Sequence, residues 1–382
     1  MDFTLTQEQS AIQKMVRDFA QKEIVPLAHH TDETGEFPAQ TFRKMAELGL
    51  LGLPFPEAYG GAEADTVSVA LAVEELGRAC GSTALAYLAH IGLGSMPIAL
   101  FGSEEQKQRY LVPAAAGEYL AAFGLTEPHA GSDAGATRTQ ARLEGDEWVI
   151  NGEKMWITNA PLAGHIIITA VTERDQGKRG ISALIVPGGT PGLTFGKHEQ
   201  KMGLRGSMST AVFLNDVRVP KENLLGERGR GFGQFLQILD GGRITVAAQA
   251  IGHAQACMEI AVRYARERES MGKPIGAYQS ISNMIADMSV GLEASRLLVF
   301  KAAWLKDNKQ PFSKAAAIAK LYATEASEKI CRDAIQVLGG NGYSSEFPVE
   351  RHYRDTRLLT IGEGTSEIQR LVIGRHELGN LG

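Results

Sequence analysis

Cysteine is scarce: Cys80, Cys257 and Cys331 are the only three among 382 residues, far apart and each in an apolar, Ala-rich stretch. An odd count with no close pair supplies neither a disulfide framework nor a zinc site, so buried, reduced helix residues are expected. No run of about 18 apolar residues stands out, so no membrane span is expected. An excess of positive charge is missing too. A formal net charge of −5 gives no basic surface of the kind nucleic acid requires, although a local basic pocket for a phosphorylated ligand stays open. The opening MDFTLTQEQS carries acids early and no apolar stretch, unlike a secretory or Arg-rich transit leader. These features point to a bacterial cytoplasmic protein, or to the mitochondrial matrix for a processed eukaryotic one. Nine histidines are present, but none stands in HExxH or another ligand spacing, and no GxSxG or catalytic Cys–His signature occurs. His29 and His30 are adjacent, point apart on a helix, and read as a solvated helix end.

What is present is a globular balance of 44% hydrophobic and 22% charged residues. At roughly 150 residues per domain the length suggests two or three domains. Residues 1–120 read as helices. Thr6-Gln7-Glu8-Gln9 and Ser103-Glu104-Glu105-Gln106 have capping-box spacing. Between them, VSVALAVEELGRACGSTALAYLAHIGLG is apolar on most sides, as for helices buried on more than one face. Over 121–225 the pattern changes to short β-branched segments separated by Gly, Pro, Asn and Asp, the signature of strands joined by turns. That spacing leaves no room for crossover helices, which excludes a Rossmann sheet. Over 226–382 long, Ala-rich helical periods return, four helices with short connectors, which suggests a bundle. The LGGNGY segment around Gly340 ends a helix, so it reads as a C-cap and not as a nucleotide loop.

Two segments carry candidate chemistry. FGLTEPHAGSDAGA, from Phe123 to Ala136, lies where helices give way to strands. Such a loop either aims backbone N–H groups at a ligand or merely connects two elements. In IGEGTSEIQRL, glycines bracket Glu363 just before a helix that Thr365 or Ser366 could cap. The carboxylate is either a surface acid favoured by the helix dipole or a catalytic group on a tight turn.

Together, LTEPHAGSD, MWIT, DGGRI, QVLGGNGYSSEFPVERHYRD and EGTSEIQR resemble the acyl-CoA dehydrogenase family, in the family's order and spacing and over nearly the whole chain. LDGGRI, AAWLKDNKQPF and ERHYRDTR resemble its short-chain, butyryl-type branch. The resemblance implies an α+β multidomain fold: an N-terminal helical domain (1–120), a middle β-barrel-like domain (121–225) and a C-terminal four-helix bundle (226–382). It implies FAD as cofactor, an acyl-CoA substrate, electron-transferring flavoprotein as acceptor, and a homotetramer built as a dimer of dimers. Glu363 is then the base that takes the α-proton while flavin N5 takes the β-hydride. Phe123, Leu125, Thr126, Gly131, Ser132, Trp156, Ile157 and Thr158 match segments that line the flavin, and Thr365, Ser366 and Glu367 match residues beside it. Arg268, Gln279, Gln336, Val337, Leu338, Gly339 and Gly340 match positions that reach FAD from a neighbouring subunit. A guanidinium such as Arg268 suits a pyrophosphate through forked, charge-assisted hydrogen bonds. Ser132, Asp240, Arg243, Gly362 and Gly364 are implied for the acyl-CoA, although a structural ion pair between Asp240 and Arg243 would look the same in sequence.

One departure stands out. Many relatives carry Tyr immediately before the base, where this chain has Gly362. A glycine there is similar to the isovaleryl branch, whose base precedes the DGGRI-type arginine; here that position is Gly242, which cannot act as a base. A branched-chain specificity is one alternative, and an acyl-CoA oxidase or flavin monooxygenase of the same fold is another. A cofactor-free Ala-rich scaffold explains the composition but not the two loop motifs. For Gly362 two readings stay open: extra width beside the base, or a turn that needs positive φ.

Overall fold

Both predicted capping boxes open helices in the computed structural model, which describes residues 4–379. Gln9 N donates to Thr6 Oγ1 at 3.1 Å and Thr6 N to Gln9 Oε1 at 3.0 Å; the Ser103–Gln106 pair repeats the exchange. These bonds satisfy orphan N–H groups that the first helical turn leaves free.

Among the N-terminal helices, Thr66–Ala79 is buried on nearly every side. The next, Gly81–Leu88, passes through a π-helical turn at Ala89–Ser95 into Met96–Phe101. The combined Gly81–Phe101 stretch has the length and mean hydropathy (1.6) of a membrane-crossing helix, although His90 and several small residues interrupt its apolar run. Over that window 61% is buried inside the protein, because the β domain docks on one side and the helical core takes up the other. Asn159 Nδ2 donates to Ala86 O at 2.8 Å, and Ala121 N donates to His90 Nδ1 at 3.0 Å. A Cβ on Gly94 would lie 2.5 Å from Ala121, so glycine permits this close approach of helix to strand.

The strands of the middle region are β1 Leu120–Gly124, β2 Gln140–Glu144, β3 Glu147–Thr158, β4 Ala163–Val171, β5 Ile181–Pro187, β6 Leu193–Phe195, β7 Ser209–Pro220 and β8 Leu224–Leu225. They form one sheet in the order β6-β7-β3-β2-β4-β5-β8, with β1 also on β4. The pairs are antiparallel except β1 with β4 and the single β2–β4 register. The end strands β6 and β8 do not pair, so the barrel-like expectation resolves into a sheet with two edges. The β3–β7 register shifts between Lys154 and Ile157, and within that bulge Trp156 takes φ +62. A bulge re-aims a side chain, and Trp156 is 57% exposed.

The C-terminal helices are Gly231–Glu267, Gln279–Asp307, Ser313–Leu338 and Ser366–Leu378, with the short Val349–Thr356 before the last. The N-terminal helices and this bundle share a single hydrophobic core, while the β domain has its own around Trp148, Ile150, Ile166 and Val212. Glycines bring the two helical regions together: a Cβ on Gly77 would meet Gln249 O at 2.8 Å, and one on Gly252 would meet Glu74 O at 2.3 Å. Glu74 also pairs with Arg296 at 2.7 Å, and Arg78 with Glu259 at 2.7 Å. All three cysteines are buried and free. His29 and His30 are exposed, and no metal-binding cluster exists among the described residues.

Candidate active site

The structure sorts the sequence-selected residues into three groups. The first lies on the β domain. Phe123 sits on β1; Leu125, Thr126, Gly131 and Ser132 follow it in the loop; Trp156, Ile157 and Thr158 end β3. Met155 N donates to Thr126 O at 2.8 Å, which joins the two motifs directly. A buried ion pair, not anticipated from the sequence, locks them: Lys154 Nζ is 2.6 Å from Glu127 Oε1 and 3.2 Å from Leu125 O. Glu127 also accepts Arg138 N at 2.7 Å and Thr139 N at 3.1 Å. Burial pushes its carboxyl up, but the Lys154 charge and these hydrogen bonds outweigh that and leave it lowered. Burial lowers Lys154 to about 8 against the Glu127 charge. Both values fall, which favours the charged form of Glu127 and the neutral form of Lys154, and the pair is still ionic at neutral pH. Removing one partner of such a pair strands a buried charge, at about 3–5 kcal/mol. Lys154→Met is therefore expected to lower stability by that order in denaturant unfolding and to loosen the Leu125–Ser132 loop; an unchanged unfolding midpoint would contradict the anchor.

The second group surrounds Glu363. Thr365 caps the terminal helix through Ile368 N at 3.3 Å, and Ser366 is buried while Glu367 is exposed. Just before the cap, Glu363 and Gly364 have φ +52 and +94. A left-handed φ is uncommon for a glutamate and marks a strained turn. Gly362 is not in that region, and a Cβ there would meet only Leu358 at 3.7–3.8 Å. The positive φ falls on Glu363, which rules out the reading that Gly362 serves the turn. The Glu363 residue is half-buried, yet its Oε2 is shielded from solvent and has no hydrogen-bond partner. Burial raises the carboxyl to about 7, opposed by the charges of Lys320 and Arg243. Desolvation disfavours the charged form of a carboxylate, so a dry site strengthens it as a base.

On the Gly231–Glu267 helix, Arg243 is 4% exposed and its Nη1 pairs with Asp240 Oδ1; its Nε has no partner. Asp240 and Arg243 thus form a salt bridge one turn apart, with an unused donor. The same helix presents Gly242: a Cβ there would lie 2.1 Å from Glu363 Oε2. The missing side chain is what makes room for the carboxylate. Gln369 and Lys320, both fully buried and not anticipated from the motif, reach the Gly364 carbonyl at 2.9 and 2.7 Å. A lone lysine on the buried face of an Ala-rich helix was the available signal, since Ala316, Lys320, Ala323 and Ser327 share one stripe.

The third group lies elsewhere. Arg268 ends the Gly231–Glu267 helix, Gln279 starts the next, and Gln336–Gly340 close Ser313–Leu338. Asn341 Nδ2 donates to Tyr264 OH at 2.9 Å and Ile275 N to Arg268 O at 2.8 Å, which ties this end of the bundle together. Arg268, Gln279, Gln336, Gly339 and Gly340 are exposed; Val337 and Leu338 are core residues, so only their backbone is available to a ligand. Arg243 and Arg268 lie 25 residues apart on one helix, about 38 Å at 1.5 Å per residue. One chain does not bring this group to Glu363.

Models of the acyl-CoA dehydrogenase N-terminal, middle and C-terminal domains match residues 6–118, 122–217 and 229–378 in turn. The chain belongs to the acyl-CoA dehydrogenase family. Among curated relatives of this dehydrogenase, a Bacillus subtilis protein named as a probable acyl-CoA dehydrogenase is 57% identical over 99% of this chain and 100% of its own length. A short-chain specific acyl-CoA dehydrogenase of Clostridium acetobutylicum is 47% identical over 98% of each chain. Butyryl-CoA dehydrogenase from Megasphaera elsdenii superposes with a TM-score of 0.97 at 43% identity, covering 99% of this dehydrogenase and all of that chain. A chain solved in work on the electron transferring flavoprotein of Acidaminococcus fermentans gives 0.98 at 44% identity and full coverage of both.

Proposed function

We propose that this dehydrogenase converts a short-chain acyl-CoA to the trans-2-enoyl-CoA, with Glu363 as the base. The observation that carries this reading is the Glu363 carboxyl: dry, unpartnered at Oε2, fitted against Gly242 and raised to about 7. A base poised near the working pH takes a proton most effectively. Glu363 Oε2 takes the α-proton, and the Glu363 N–H receives the thioester oxygen as charge develops there, an oxyanion-hole role. Arg243 and Asp240 hold the acyl-CoA beside that turn, with Ser132, Gly362 and Gly364.

FAD is the cofactor of the family, and the residues fit it. Trp156 stands exposed beside half-buried Thr126 and Thr158, and a Cβ on Gly131, Gly339 or Gly340 would meet nothing within 4 Å. When bound, FAD supplies the acceptor for the β-hydride. The distal group around Arg268 would meet the cofactor of a second subunit, so we propose a homotetramer of two dimers. Exposed Met271 (93%) and Tyr343 (89%) beside that group support it. Light scattering on the flavin-loaded protein checks this; a fully active monomer is incompatible with it.

The test of the activity is anaerobic mixing of flavin-loaded enzyme with acyl-CoAs of increasing length, following loss of flavin absorbance. Butyryl-CoA is expected among the fastest, and absence of bleaching with every acyl-CoA overturns the reading. Reduced enzyme that passes electrons to electron-transferring flavoprotein and reacts slowly with oxygen is the expected dehydrogenase; rapid reaction with oxygen identifies an oxidase.

Gly362 favours one refinement. It lacks a side chain where many relatives carry Tyr, and its backbone does not demand glycine. A methyl branch is expected to fit, and one methyl group is worth about 1–3 kcal/mol, roughly 10–200-fold in specificity. Gly362→Tyr should lower kcat/KM for isobutyryl- and isovaleryl-CoA more than for butyryl-CoA, while Gly362→Ala should be nearly silent. Equal losses on all three substrates from Ala would refute the width argument.

A further inference from the structure

Lys320 is buried in the Ser313–Leu338 helix and fully shielded from solvent. The other fully shielded lysine, Lys154, has Glu127 as its counter-ion. Lys320 has no carboxylate within 4 Å among the described residues; its hydrogen bond runs to the Gly364 carbonyl at 2.7 Å. The same carbonyl accepts Gln369 Nε2 at 2.9 Å. Two donors on one carbonyl fix the peptide that follows the two left-handed residues, Glu363 and Gly364. Lysine reaches this point because residue 320 lies on the inward stripe of its helix, with Ala316 and Ala323 leaving room beside it.

We propose that Lys320 is a positioning residue for the base: it clamps the Gly364 carbonyl, which holds the strained turn, and its unpaired ammonium beside that turn favours the Glu363 carboxylate. This rests on Glu363 being the base. The charged groups facing Glu363 are Arg243 from the Gly231–Glu267 helix and Lys320 from the Ser313–Leu338 helix. Arg243 already has Asp240 as counter-ion, so its charge is largely answered locally. The Lys320 charge is not. Around Lys320 itself stand Glu363, Arg243, Glu325 on its own helix and Glu367 on the terminal helix. Burial lowers the ammonium to about 8, opposed first by Glu363, so it is still mainly protonated at pH 7.

The sign follows directly. A cation favours the carboxylate, so removing it raises the Glu363 pKa and moves the onset of activity to higher pH. An opposite charge a few ångströms away is worth about one to three units, and the lower figure suits a charge that touches the turn and not the carboxylate.

The experiment uses flavin-loaded protein labelled with 13C at the glutamate carboxyls. The Glu363 resonance is assigned by its loss in Glu363→Gln, and its titration is followed by NMR. Lys320→Met is expected to move the midpoint from about 7 up by about one unit, with the acid limb of kcat/KM for butyryl-CoA moving equally. At pH 7 that shift alone lowers flavin reduction about fivefold; by pH 9 this share disappears and only the pH-independent loss from the missing clamp remains. Lys320→Gln, which is also neutral, should give the same shift and serves if the Met variant does not fold. A clamp of purely structural effect would lower the rate at every pH and leave the midpoint in place; an unmoved midpoint in the folded neutral variants overturns the proposal. If wild-type flavin is not reduced by any acyl-CoA, the functional reading fails by itself, and the NMR midpoint still judges Lys320.

Discussion

Glu363→Gln is expected to retain FAD and bind acyl-CoA but to lose a hundredfold or more in flavin reduction, the scale of losing a general base. The amide keeps the shape that fits against Gly242 while removing the proton-accepting oxygen. The same variant is expected to be more stable than the wild type at high pH. Burial lifts Glu363 from an ordinary value of 4.5 to about 7 in the folded protein. A carboxyl raised on folding contributes fully below about pH 4.5, and that contribution is lost as pH rises towards 7, because the native state binds the proton more tightly than the unfolded chain. Above pH 7 the buried carboxylate therefore costs up to about 3 kcal/mol, from roughly 1.4 kcal/mol per unit. Glutamine removes that cost. Unfolding midpoints compared at pH 8 and pH 5 should show an advantage for the variant at pH 8 that shrinks at pH 5. Near-normal flavin reduction, or equal stability at both pH values, would refute the assignment of a dry catalytic carboxylate.

Gly242→Ala is the second large effect, and its control lies next to it. A Cβ on Gly242 would stand 2.1 Å from Glu363 Oε2, whereas one on Gly241 would meet only Lys306 Nζ at 3.5 Å and Cε at 4.0 Å. Both sites are interior to a helix, where alanine is favoured over glycine by about 0.5–1 kcal/mol. Both variants should therefore fold. The carboxylate is the far end of a flexible side chain, so it yields and leaves its place by an ångström or more. A displacement of that size costs about a hundredfold in rate. Gly242→Ala should lose that much in flavin reduction, and Gly241→Ala almost nothing. Similar rates for the two would mean that the Glu363 carboxylate does not work where the structure puts it.

Features held by short-range interactions were legible in the sequence, and those held by distant ones were not. Thr6, Ser103 and Thr365 were legible as caps because each bonds to a residue three positions away. The helical, β, helical order was legible from periodicity alone. Glu363 stood out through its flanking glycines and the family pattern around it. Gly242 was visible only as a place where a base is missing; its role as the space that admits Glu363 depends on a contact 121 residues distant. Lys320 and Lys154 looked like ordinary lysines in a helix and a strand, because a carbonyl 44 residues away or a counter-ion 27 residues away leaves no local mark. The positive φ was attributed by one reading to Gly362, since glycine favours it, and the turn instead places the strain on the glutamate.

The single core that joins the first and last helical regions has a consequence for synthesis. The Thr66–Ala79 helix rests on the segment around Gln249 and Gly252, so its partner is encoded some 170 residues later. At about 5–20 residues per second, the ribosome takes roughly 10–35 s to supply it. During that interval the Thr66–Ala79 helix lacks the partner for its Gly77 face, while the whole β domain is synthesised. The nascent chain therefore carries one open apolar helix face until the Gly231–Glu267 helix emerges to close it.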